Sequence, residues 1–128
     1  MLFRSIAKRL EMLLEAVPRT ARVACLLNFD NVNSAFGLAS VRAATKDAKL
    51  DIVVAQAKSM NDIEAAFAFM RREKVGAAMI LADGIFTSSA RQIAELALRQ
   101  RLPLMAPTRE FVDAGCLMSY GKIGRAHV

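Results

Sequence analysis

The sequence has no tryptophan, one tyrosine, one histidine and two cysteines, and each scarcity removes a class of function. A zinc site takes about four ligands. One histidine, His127, and two cysteines outside any C-x-x-C pattern cannot build one. A Ser-His-Asp arrangement needs a held base, and His127 is the penultimate residue. The first turn carries no G-x-G-x-x-G pattern, and no glycine precedes Gly37, which excludes a dinucleotide fingerprint; the chain has no P-loop either. No catalytic residue, metal or cofactor is therefore expected. Cys25 lies within an apolar run and Cys116 begins a late one. Both read as small buried hydrophobes and say little about the redox compartment.

Long apolar runs are missing as well. A membrane-spanning helix needs roughly 18 apolar residues, and the longest run, Val75 to Phe86, is interrupted by Asp83. The beginning of the chain carries Arg4, Lys8, Arg9, Glu11 and Glu15, so it has no uncharged segment of the kind a signal peptide needs. No signal peptide and no direct membrane insertion are expected. The bases give a net charge of +6. They are scattered, however, and several fall near expected helix C-termini, where cations complement the helix dipole. Aromatic residues are not interleaved with them, and no nucleic-acid-binding signature appears, so no nucleic-acid partner is expected.

What is present is a repeated pattern. The 128 residues fit one domain, large enough to bury roughly two-thirds of its unfolded surface. Apolar residues make up 55%, above the usual ~45–50%. This excess points to strands buried on both faces or to an apolar surface that belongs against a missing part. Leu2, Phe3, Ile6, Leu10, Leu13, Leu14 and Val17 recur at helical spacing until Pro18. Four apolar strands follow, at Arg22–Asn28, Asp51–Ala55, Ala77–Ala82 and Leu102–Ala106, with a short fifth at Cys116–Tyr120. The first is continuous rather than alternating, as in a parallel strand covered on both sides.

Helices are expected between the strands. The first, from about Ala35 to Ala48, has Asn33 or Ser34 as its cap. The second opens at Ser59-Met60-Asn61-Asp62, which resembles a capping box with Asp in place of Glu. The third runs to about Arg101, capped by Thr87 or Ser88, and Arg109 to Ala114 can form a short turn. The alternation predicts an α/β fold: a three-layer, Rossmann-like open parallel sheet of five strands, order 2-1-3-4-5, with helices on both faces.

In such a sheet ligands bind at the carboxyl ends of the strands, at the point where the strand order reverses. That point brings the turn Asn28–Ser34 beside Asp83–Thr87, with Thr108 nearby. The candidate ligand-binding residues are Asn28, Asp30, Asn33, Ser34, Asp83, Phe86 and Thr108. Asp83 can anchor a cationic group, accept from hydroxyls, or serve as a turn residue before Gly84. Phe86 and Phe29 can wall a ligand or pack under a loop.

These residues resemble a known family. Lys8–Pro18, Arg22–Asn28 with the Asn33-Ser34 turn, Ile63–Phe67, Leu81–Asp83, Arg91–Ala97, Arg101–Pro103, Arg109–Gly115 and Leu117–Gly121 together look like the ABC-transporter substrate-binding proteins of the type I periplasmic-binding fold. The resemblance covers about Lys8 to Gly121. It implies the second lobe of a two-lobe receptor, residues 1–121 forming a single lobe, with the first lobe missing. It further implies a small organic solute, an amino acid or related compound being the expected class. A permease partner for the full-length receptor and a periplasmic or lipoprotein-anchored location also follow from it. The usual proline near Asn31-Val32 is absent, and Gly84 stands where the third turn often has proline. Residues 122–128 are expected to be non-native, because Ile123–Val128 reads as a translated sequencing-library adapter.

Two alternatives share this fold. A response-regulator receiver would use Asp30, Asp83, Thr108 and Lys122, yet this chain lacks paired acids at the end of its first strand and begins with a helix. The other is the effector-binding lobe of a transcriptional regulator.

Overall fold

A run of five consecutive residues with no exposed surface, Val23 to Leu27, sits at the centre of the molecule. The computed structural model describes residues 2–107, Phe111 and Met118–Ser119. The run belongs to β1 (Arg22–Leu27), which is flanked in parallel by β2 (Asp51–Gln56) and β3 (Ala77–Ile80). β4 (Leu104–Ala106) pairs in parallel with β3 on its far side. Of the fifth strand expected at Cys116–Tyr120, β5 (Met118–Ser119) lies within the described residues and pairs with β4. The sheet order is β2-β1-β3-β4-β5.

Successive residues of a strand point to opposite faces, and the two faces carry two separate cores. Val23, Cys25 and Leu27 join Ala77, Met79, Leu81 and Met105 under α1 (Leu2–Ala16) and α2 (Val32–Ala44). Ala24 and Leu26 join Val53, Ala55, Ala78, Ile80 and Leu104 under α3 (Met60–Arg72), α4 (Gly84–Ser88) and α5 (Ala90–Gln100). The expected open parallel sheet with helices on both faces is therefore the observed one, and burial on both sides explains the apolar excess.

α1 and α3 meet the sheet through the stripes their spacing predicts. α1 contributes Ile6, Leu10 and Leu13. α3 contributes Ile63, Phe67 and Met70. α1 and α2 approach closely at Gly37, where an added Cβ would lie 3.1 Å from Leu81 and 3.3 Å from Ile6. Cys25 is buried, and desolvation pushes its thiol up to about 12, which keeps it a protonated packing group.

The starts of α2 and of the helical segment after β3 differ from expectation, and α3 starts where expected but is capped differently. α2 begins at Val32, capped by Asn31 rather than by Asn33 or Ser34. The segment after β3 is two helices rather than one: Asp83 caps α4, and α5 starts after Ser89, so Thr87 and Ser88 lie inside α4 instead of capping. At α3, Ser59 occupies the cap position but its side chain makes no capping bond, and Asp62 accepts from the Lys58 backbone amide at 3.0 Å. The turn expected at Arg109–Ala114 lies outside the described residues except for Phe111, which is buried.

Candidate functional site

The carboxyl ends of β1 and β3 are adjacent, because the chain leaves β1 toward β2 on one side and returns to β3 on the other. This is the reversal point of the sheet. β1 runs directly into Asn28, which is buried, and the β3 ladder ends where the Leu81 amide meets the Leu26 carbonyl at 2.9 Å. The two following turns are then locked together by side chains.

Asp83 is the hub of that lock. One carboxylate oxygen, Oδ1, accepts from Asn31 Nδ2 at 2.8 Å and from Asn28 Nδ2 at 3.4 Å. The other, Oδ2, accepts from the Ile85 backbone amide at 3.0 Å and so caps α4. An ionised carboxylate has about four lone-pair positions, so most of the capacity of Asp83 is used within the protein. Asn28 and Asn31 each use the remaining oxygen locally: Asn28 Oδ1 accepts from the Asp30 amide and Asn31 Oδ1 from the Asn33 amide, both at 2.9 Å. These are Asx turns, which let a short polar side chain satisfy backbone donors that the turn would otherwise strand.

The knot has a measurable weight. Removing a capping carboxylate costs about 0.5–2 kcal/mol, and hydrogen bonds to a charged group are worth about 1.5–3 kcal/mol. Asp83→Ala is expected to lower stability by about 2 kcal/mol in a urea melt. A change below about 0.5 kcal/mol, the range of ordinary surface substitutions, would show that the knot is idle.

The other candidate residues fall at different depths. Asp30 is exposed and pairs with Lys58 Nζ at 3.9 Å, drawing the turn after β1 toward the turn after β2. An exposed pair of that length contributes little to stability. Asn33 is exposed at the start of α2. Ser34 is buried on the inner side of α2, and its Oγ has no hydrogen-bond partner among the described residues. Thr108 lies outside the described residues.

Phe86 corrects the expectation of a ligand wall. It is fully buried and packs in the core beneath α3 and α5. The reason is Asp83: by capping a separate short helix it turns the apolar side of Gly84–Ser88 inward. The aromatic surface left open at this edge is Phe29, 48% exposed, with Val32 at 78% and Met60 at 51%. Sequence reasoning missed Asn31 as well. Its signal was available, since Asn28-x-Asp30 and Asn31-x-Asn33 repeat the same turn spacing. The described residues hold no cluster of His, Cys, Asp and Glu able to bind a metal ion, and no described helix is long and apolar enough to cross a membrane.

Comparison with known proteins places this arrangement. The sequence profile of the ABC transporter substrate binding protein family matches residues 3–124. No curated protein matches in sequence. Among solved structures, the chain is similar to a conserved domain protein of Vibrio cholerae, with TM-score 0.82 and 18% identity over 91% of this chain and 39% of that one. It is similar to an ABC domain from Streptococcus pneumonia in complex with L-Trp, with TM-score 0.80 and 19% identity over 89% of this chain and 38% of that one. A ligand-free, open substrate binding protein with adhesive properties from Clostridium difficile gives TM-score 0.77 and 19% identity, over 86% of this chain and 37% of that one. The chain thus spans less than two-fifths of the length of these three structures. At these identities the likeness establishes the fold, while the profile, covering nearly the whole chain, establishes the kinship. The chain belongs to the ABC transporter substrate binding protein family, a family of binding proteins rather than enzymes.

Proposed function

We propose that this chain is one solute-binding lobe of a two-lobe receptor that delivers a small organic molecule to an ABC-transporter permease. The observation that carries the reading is the polar knot at the sheet's reversal point, Asp83–Asn31–Asn28, in a chain of this family. A hydrogen-bonded scaffold fixed before the solute arrives lowers the ordering cost of binding. Asp83 and Asn28 act chiefly by holding the turns in place. Asp30, Asn33 and Thr108 are the groups that meet the solute, with Ser34 packed behind them on the inner side of α2, and the exposed Phe29, Val32 and Met60 border them with apolar surface.

An amphiphilic solute, an amino acid or related compound, suits such a mixed edge. The L-Trp complex of the Streptococcus relative is consistent with that class. The full-length receptor would act outside the cytoplasm, in the periplasm or held by a lipid anchor. Residues 1–121 would supply one lobe, the other lobe closing over the strand ends, and residues 122–128 would be a non-native tail.

Amide chemical shifts of the 128-residue chain test the location. Titration with a panel of L-amino acids and small organic acids at millimolar concentration should move residues 28–34, 58–60 and 83–85. Shifts confined to the opposite edge of the sheet, around Arg19 and Gly76, would place binding elsewhere.

A further inference from the structure

The edge of the sheet away from the candidate site has its own character. α3 and α5 both end there, and they are joined by Gln100 Nε2, which donates to the Phe67 carbonyl at 3.0 Å. Around this junction lie Arg71, Arg72, Lys74, Arg99 and Arg101, all exposed. The intervening acid, Glu73, is engaged by Arg22 at 3.1 Å. Among these cations sits Leu98, in the last turn of α5 and 72% exposed.

Helix-dipole complementarity accounts for a cation or two at each helix end. It does not account for two of these positions. Among the described residues, Lys74 and Arg101 are the non-glycine residues with positive φ, at 56° and 53°. Each closes its helix with the paired bonds of a Schellman motif: Lys74 to Arg71 and Val75 to Met70, then Arg101 to Leu98 and Leu102 to Ala97. Glycine is the usual residue at such a position because it adopts that conformation without a Cβ penalty. Both positions hold a long cation instead.

We propose that the joined ends of α3 and α5 form a docking face for an anionic phospholipid bilayer. A bilayer surface is flat and diffusely charged. It attracts clustered Lys and Arg without shape complementarity and accommodates an exposed leucine at its interface. The face lacks the exposed aromatic platforms on which single-stranded nucleic acid stacks, since Phe69 is half-buried and covered by Arg72 at 5.9 Å. The docking is adsorption, with no segment inserted. The choice of a bilayer rests on the extracytoplasmic reading above.

Co-sedimentation of the 128-residue chain with vesicles is the test. Phosphatidylcholine vesicles containing phosphatidylglycerol should bind it at low salt, and pure phosphatidylcholine vesicles should not. Replacing Lys74→Gly, Arg101→Gly, Arg71→Gln and Arg99→Gln together should weaken that binding by about tenfold or more. Glycine suits both strained positions, so the urea midpoint of this variant should not fall. A variant losing equal charge elsewhere, Arg42→Gln, Lys46→Gln, Lys49→Gln and Arg91→Gln, should keep most of the binding. Equal losses in the two variants, no binding to the anionic vesicles, or displacement from them by a single-stranded oligonucleotide at matched ionic strength would each overturn the proposal. No solute is used, so this assay is independent of the amide-shift titration: vesicle binding by a chain whose solute edge stays silent in that titration would remove the receptor reading and leave this face standing.

Discussion

Phe86→Ala should destabilise the chain by about 3–5 kcal/mol in a urea melt, the range for emptying a buried phenylalanine site. The side chain has no exposed surface and touches the core shared by β1, β3, α3 and α5. Such a loss combines the transfer energy of the ring with the cavity it leaves. Against a typical total of about 5–15 kcal/mol, much of the chain's stability would go. The substitution also separates two roles. A phenylalanine walling a ligand cleft would be replaced at small cost, below about 1 kcal/mol, with its effect showing in binding. Phe29→Ala supplies the contrast, because that ring is 48% exposed and should give the smaller change in stability.

The sequence made the sheet readable because its signals are local. Val23–Leu27 is an unbroken apolar run, and a strand buried on both faces has no other pattern available. α1 and α3 were legible from the spacing of Ile6, Leu10 and Leu13, and of Ile63, Phe67 and Met70. Helix starts were harder for a physical reason. The turn after β1 holds Asn31, Asn33 and Ser34, all competent caps. Which one caps depends on a partner 52 residues away: Asp83 takes Asn31 Nδ2, which leaves Asn31 Oδ1 to accept from the Asn33 amide. The same distant pairing fixes Asp83 as the cap of α4, displacing Thr87 and Ser88 and turning Phe86 inward. The convergence of Asn28 with Asp83 could be read from topology alone. That most of the Asp83 acceptor capacity is spent inside the protein could not, because spacing along a chain does not report geometry between turns.

The second large effect concerns affinity. Each hydrogen bond from this open edge to a solute competes with water and nets roughly 0.5–1.5 kcal/mol. A few such bonds barely exceed the cost of immobilising a small molecule. In the proposed two-lobe receptor, a facing lobe would exclude water, enclose the apolar part of the solute and supply what this edge lacks. The chain alone should therefore bind no more tightly than about millimolar, near −4 kcal/mol, and the two-lobe receptor about a thousandfold more tightly, near −8 kcal/mol. Isothermal titration calorimetry of the solute that shifts residues 28–34, run side by side on the 128-residue chain and on a two-lobe protein in which it is joined to a facing lobe, measures this directly. The half-receptor account predicts weak or undetectable heat from the first and a micromolar, one-site isotherm from the second. Micromolar binding by the 128 residues alone, or equal affinity in both proteins, would contradict it.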